Sequence, residues 1–163
     1  ETMLRLTKIV LIFLVVLWGL LGAMHNIMDW AGTQGAVSAA TSMTTFEGGA
    51  DAWQANSNSM VVLLGALFIM LSKITAALLC SAGGWKMWQA RNQSAADFNK
   101  AKELALAGSA VAVIMLFGGF IVVAESWFEL WRSDVMRGPV LGSAFRYAGL
   151  IALIGIFVQA KDD

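Results

Sequence analysis

The sequence predicts an all-α integral membrane protein, a four-helix bundle with short interfacial helices in its first outer loop. Three observations carry that expectation. Of the 163 residues, 58% are hydrophobic and only 13% are charged, with a mean hydropathy of +0.70. Soluble domains run about 45–50% apolar and about 25% charged, so this chain has too little polar surface to cover a globule in water. Four separate runs reach the roughly 20 apolar residues that a helix needs to cross the hydrocarbon core. One proline, one tyrosine and seven tryptophans suit continuous helices with interfacial indoles better than a barrel of short alternating strands.

The first run, about 6–25, centres on Ile9, Leu11, Phe13, Val15 and Trp18. Arg5 and Lys8 precede it, so a cleaved signal peptide competes for this segment. The run is longer than the usual apolar signal core, and no small-x-small site follows before Asn26; it is expected to remain as an uncleaved span. The second run, about 60–85, is interrupted only by Lys73. The third, about 104–127, passes through Val111 to Phe117, and Gly118-Gly119 could permit a bend. The fourth covers about 140–158. Lipid cannot satisfy free backbone groups, so each run is expected to be a continuous helix. Together they form a single transmembrane domain over 1–163, with an outer loop 26–59, a cytoplasmic connector 86–103 and an outer loop 128–139.

Charge placement predicts the orientation. The first connector holds Asp29, Glu47 and Asp51 but no lysine or arginine, whereas the middle one holds Lys86, Arg91, Lys100 and Lys102. With Arg5, Lys8 and Lys161, these place both termini in the cytoplasm, against Arg132, Arg137 and Arg146 outside. Trp30, Trp127 and Trp131 then mark the outer interface, and Trp85 and Trp88 the inner one. The first connector is long and rich in Gly, Ala, Ser and Thr, so 36–40 and 50–53 read as short helices capping the bundle mouth.

Lys73 is the residue that fits least, because a lysine at the centre of a span costs on the order of 2.5–3.5 kcal/mol on insertion scales. It either snorkels its ammonium toward an interface, pairs with a carboxylate of this chain or of a partner, or serves an ion path. Glu125 lies roughly ten residues beyond the middle of its helix, near the outer interface, with Arg146, His25, Asn26 and Asp29 as nearer partners. A polar cluster of these residues at the outer mouth, above Lys73, is therefore expected. His25 and Asp29 share a helix face, but one histidine and one carboxylate do not make a metal site. Small residues at close-packing intervals, Gly19, Gly22, Ala77, Ser81, Gly84, Gly108, Ala112 and Gly149, read as helix-packing positions.

Several chemistries are excluded. One cysteine rules out an intrachain disulfide, and with one histidine this chain alone builds neither a thiolate zinc site nor a bis-histidine haem. A formal charge of zero offers no basic footprint for nucleic acid. No phosphate-cradling loop, His-Glu-x-x-His or Gly-x-Ser-x-Gly pattern occurs, so no catalytic residue and no cofactor is expected.

Six segments carry a resemblance. They are His25 to Trp30, Met43 to Phe46, Thr75 to Trp85, Phe98 to Lys102, Gly119 to Phe128 and Ala144 to Arg146. On these pieces the chain resembles DUF2165, a family of predicted small integral membrane proteins of bacteria. The resemblance implies four helices and an inner-membrane location, and it implies no activity. The expected role is a non-catalytic accessory or stabilising subunit, docking by helix packing on a larger inner-membrane assembly, such as a respiratory or electron-transfer complex. The expected partners are the lipid bilayer and either other membrane subunits or further copies of the chain. The alternatives are a small-solute or proton transporter using Lys73 and the outer polar cluster, and a quinone- or lipid-interacting enzyme subunit.

Overall fold

The computed structural model describes residues 2–163, and among these every regular element is helical. Four stretches, Thr2–Met28, Ser59–Ala90, Ala95–Trp127 and Arg137–Gln159, are long and apolar enough to cross a membrane. The protein is thus a four-span bundle, with both chain termini at one end and the two long loops at the other.

Each span outruns its apolar run, because a helix continues as long as its polar ends find partners. α1 (Thr2–Met28) carries Arg5 and Lys8 inside its first turns, and both are buried. α3 (Ser59–Ala90) starts where the Asn58 side chain accepts from the Met60 N–H at 2.8 Å. The expected 86–103 connector shrinks to the turn from Arg91 to Ser94. There Ser94 Oγ accepts from the Asp97 N–H at 3.2 Å and donates to the Asp97 carboxylate at 2.6 Å, a reciprocal cap that opens α4 (Ala95–Ala101). Lys102 stays in the right-handed helical region, with φ −73° and ψ −18°, so α4 runs on into α5 (Glu103–Val113).

Beyond Val113 the third span winds as wide π-type turns from Ile114 to Trp127, and a shorter stretch of the same kind, Arg137–Gly142, leads into α6 (Ser143–Gln159). The expected continuous α-helix is therefore replaced by a wider coil over its second half, Gly118 and Gly119 included. Wider turns take more residues per revolution and rotate the side-chain pattern away from the 3.6-residue repeat.

The loop-end cap also differs from expectation. In place of short helices at 36–40 and 50–53 there is one helix, α2 (Trp30–Thr41), and 50–53 forms turns. Asp29 separates α1 from α2 by accepting the Gly32 N–H at 3.0 Å, and α2 ends where Met43 adopts a positive φ of 54°. Asp29→Ala should cost about 1 kcal/mol, seen as a small drop in melting temperature in detergent with the helix content otherwise kept. The second loop is stitched to the first: Arg132 stacks on Phe46 at 4.6 Å and donates to the Glu47 carbonyl at 3.2 Å, and Trp53 meets Trp127 edge to face at 5.2 Å.

Small residues let the helices approach. Gly19 sits against the Lys73 carbonyl, where an added Cβ would lie 2.9 Å from the oxygen and 3.1 Å from Ala77 Cβ. Gly84 faces the Phe13 ring, and Gly108 faces Cys80 and Ala76. Ala77 and Ala112 are buried and Ser81 is half-buried. Gly149 departs from this pattern: its Cβ position meets nothing of this chain within 4 Å. Ile9, Ile12, Val15 and Val16 of α1 complete the core with Met115, Leu116, Ile151 and Val158.

Candidate functional site

Beneath the α2 roof, in the loop half of the bundle, lies a cavity of about 800 Å³, within the size range of small-molecule sites. Its walls are apolar for the most part, from Trp18, Leu21, Phe68, Ile69, Phe120 and Val123 to Val140 and Tyr147. The wide turns of the third span give that wall Phe120, Val123 and Ala124. His25, Asn26, Thr33 and Lys73 line the cavity from α1, α2 and α3, and Thr41, Ser143 and Tyr147 add hydroxyls from α2 and α6.

Lys73 leaves α3 opposite Gly19 and runs its stem along Gly22, whose Cβ position would lie 3.0–3.3 Å from the last three side-chain atoms. A helical side chain leans toward its own N-terminus, and for α3 that direction is the loop end. The ammonium thereby reaches Asn26, in the last turn of α1, and donates to its Oδ1 at 2.8 Å. Asn26 is held ready for this, because its Nδ2 donates to Thr33 Oγ1 at 3.0 Å and Thr33 donates onward to the Asp29 carbonyl at 3.0 Å. Lys73 is half-buried, and no carboxylate lies within ion-pair distance of it among the described residues. Bulk at Gly22 should expel the lysine: Gly22→Val is expected to break the Lys73–Asn26 contact, whereas Gly22→Ala meets only the flexible lysine stem and should be tolerated. Accessibility of Lys73 to an amine-reactive reagent would tell the two apart.

The expected polar cluster at the loop end does not assemble. Asn26 meets Lys73, but Asp29 is occupied as the α2 cap and Arg146 bonds only Ser143 Oγ, at 3.1 Å. Glu125 and His25 make no side-chain hydrogen bond or ion pair among the described residues. Glu125 lies on the wide turns, where an α-helical projection misplaces its direction. No three His, Cys, Asp or Glu side chains converge as a metal site among the described residues.

A second constellation, at the terminal end, has no counterpart in the sequence reading. Asp162 folds back between the helix ends, and its Oδ2 accepts from Lys8 at 2.7 Å and from Lys102 at 2.5 Å. Both lysines also donate to the Ala160 carbonyl, at 2.6 Å and 2.9 Å. Asn99 clasps the tail backbone, donating to the Asp162 carbonyl at 3.0 Å and accepting its N–H at 3.1 Å. Arg5 donates to the Arg91 and Gln93 carbonyls and lies over Phe98, with its Nε 4.0 Å from Asp162 Oδ1. The four charged side chains are only 1–7% exposed. The one available signal was the i, i+3 spacing of Arg5 with Lys8 and of Asn99 with Lys102, which places each pair on one helix face.

Asp162 lies beyond the last span. Burial by itself raises its carboxyl, but the hydrogen bonds and charges of Lys102 and Lys8 outweigh burial and hold it below the usual carboxylate range. A carboxyl whose folded-state pKa is depressed stabilises the fold above its ordinary value of about 3.9. That contribution is lost as the pH falls through the depressed value. The melting temperature in detergent should therefore be insensitive to pH near neutrality and fall below about pH 4. The Asp162→Asn variant, less stable at pH 7, should show a shallower acid slope.

A family model described as a predicted small integral membrane protein, DUF2165, matches residues 4–161, nearly the whole chain. No curated protein and no solved structure matches it.

Proposed function

Because this chain belongs to the DUF2165 family of predicted small integral membrane proteins, we propose that it is a non-catalytic binding protein of the bacterial inner membrane, holding a largely apolar molecule in the loop-half cavity. The observation that carries this reading is the cavity itself: about 800 Å³ of largely apolar space, with Lys73 as the one basic side chain besides His25 in its lining. A bundle that only spanned the bilayer would gain by closing that space, since unfilled volume forfeits packing. Both termini face the cytoplasm in this reading. Its support is the basic excess at their end, where Arg5, Lys8, Lys86, Arg91, Lys100, Lys102 and Lys161 stand against Arg132, Arg137 and Arg146 at the loop end.

Gly118 offers a direct test. It lines the cavity, and its Cβ position has nothing within 4 Å, so Gly118→Phe should fill the space without displacing a helix. Protein purified from native membranes in mild detergent should release a small molecule on solvent extraction, detected by mass spectrometry, and the variant should lack it. Identical extracts from the two proteins, with equal melting temperatures, would sink the reading.

An accessory role, docking on a larger membrane complex, is the second reading. It is supported by α6, where Gly149 has open space at its Cβ position and Leu150, Leu153 and Ile156 are exposed. Purification at native expression with no larger co-migrating partner would count against it.

A further inference from the structure

We infer that the cavity selects a single-chain amphiphile with one anionic head, a long-chain carboxylate, whose head meets Lys73 and whose chain lies along the Trp18–Phe68–Phe120 wall. This rests on the binding reading above and adds the ligand's charge and chemical class. The Lys73 ammonium carries three donors and uses one of them, on an amide oxygen that supplies a dipole and no charge. No acidic residue lines the cavity, and among the described residues no carboxylate pairs with Lys73, so the site is positive with no counter-charge in its lining. A charge held at the edge of an apolar space gains most from an opposite charge, and an anionic head delivered with its own apolar chain supplies both parts together.

The donor set narrows the head group. A phosphate is favoured where several N–H groups or an arginine fork converge; the cavity lining has no arginine and offers one ammonium, the amide of Asn26 with its nitrogen already committed to Thr33, His25, and the neutral hydroxyls of Thr33, Thr41, Ser143 and Tyr147. That set suits one carboxylate. Asn26 also supplies an internal test. Asn26→Asp would place a carboxylate 2.8 Å from the ammonium, where the amide oxygen now sits, and so would put the proposed ligand's charge into the chain itself.

The experiment uses the full chain in phosphatidylcholine nanodiscs, with the fluorescent fatty carboxylate cis-parinarate as probe. Displacement is measured with palmitate, hexadecanol, hexadecylamine and hexadecyl phosphate. Palmitate is expected to displace the probe at about tenfold lower concentration than the alcohol or the amine. Lys73→Met and Asn26→Asp should each erase that preference, and Lys73→Arg should keep it; melting temperatures establish that each variant is folded. Equal displacement by palmitate and hexadecanol, with Gly118→Phe blocking both, would overturn the inference while leaving the binding reading intact. Tighter displacement by hexadecyl phosphate than by palmitate would overturn the carboxylate assignment. Failure of every probe to bind would remove both readings.

Discussion

Asp162→Ala should destabilise the bundle by about 3–5 kcal/mol, the usual effect of removing one partner from a buried ion cluster. The loss is large because it strands two ammonium groups. Lys8 and Lys102 are 1–2% exposed and share the Asp162 carboxylate as their only ionic partner among the described residues. Without it they must either stay charged in a closed pocket or open that pocket to water, and opening it releases the tail that Asn99 clasps. At about 2–4 °C per kcal/mol for a chain of this size, a melting shift on the order of 10 °C in detergent is expected. Asp162→Asn preserves the shape and one acceptor, so it should fall between the alanine variant and the parent. A melting temperature unchanged in Asp162→Ala would mean that the cluster contributes nothing net.

The second large effect is expected at the crossing of α3 and α5. An added Cβ at Gly83 would collide with the backbone of Ala105, and one at Gly108 would come within 2.6 Å of Cys80 Sγ and 2.8 Å of its backbone nitrogen. Backbone on the facing helix cannot step aside as a flexible side chain can, so the two spans must separate. Overpacking of this kind costs about 1–3 kcal/mol for a single methyl, and Gly83→Leu should prevent assembly altogether. Gly149→Ala is the matched control, because nothing lies within 4 Å of its Cβ position and alanine is the better helix former. Size-exclusion profiles and melting curves of Gly83→Ala, Gly108→Ala and Gly149→Ala would decide the matter. Equal behaviour of all three would contradict the close crossing.

The sequence made much of this legible, and the rest was hidden for identifiable reasons. Bilayer physics acts on composition and run length, so the four spans could be read directly. Gly19, Gly84 and Gly108 could be found because close approach demands a missing side chain. Gly83 went unremarked beside Gly84, since spacing does not reveal which of two adjacent glycines faces α5 and which faces Phe13. Lys73 stood out by its cost in lipid, but Asn26 was assigned to Glu125 in the cluster above it, because run length does not show that the lysine stem reaches the last turn of α1. Glu125 was drawn into that cluster by depth, counted along the helix axis, and depth does not fix which way a side chain on the wide turns after Val113 points. The Asp162 cluster escaped for another reason. Arg5, Lys8 and Lys102 each have a sufficient explanation as topology signals, and nothing local ties them to a carboxylate at the far end of the chain.

That long-range tie has a consequence for biogenesis. Lys8 and Asp162 are separated by 154 positions, so the first span must enter the bilayer long before its counter-charge has been translated. At about 5–20 residues per second, the wait is on the order of ten seconds. During that interval Lys8 can remain charged only at the aqueous rim, which holds α1 shallow until the tail arrives. Asp162, once translated, would then draw the first helix to its final depth. Insertion of the four spans would thus be completed by a latch between the first helix and the segment after the fourth, in place of gradual, span-by-span assembly.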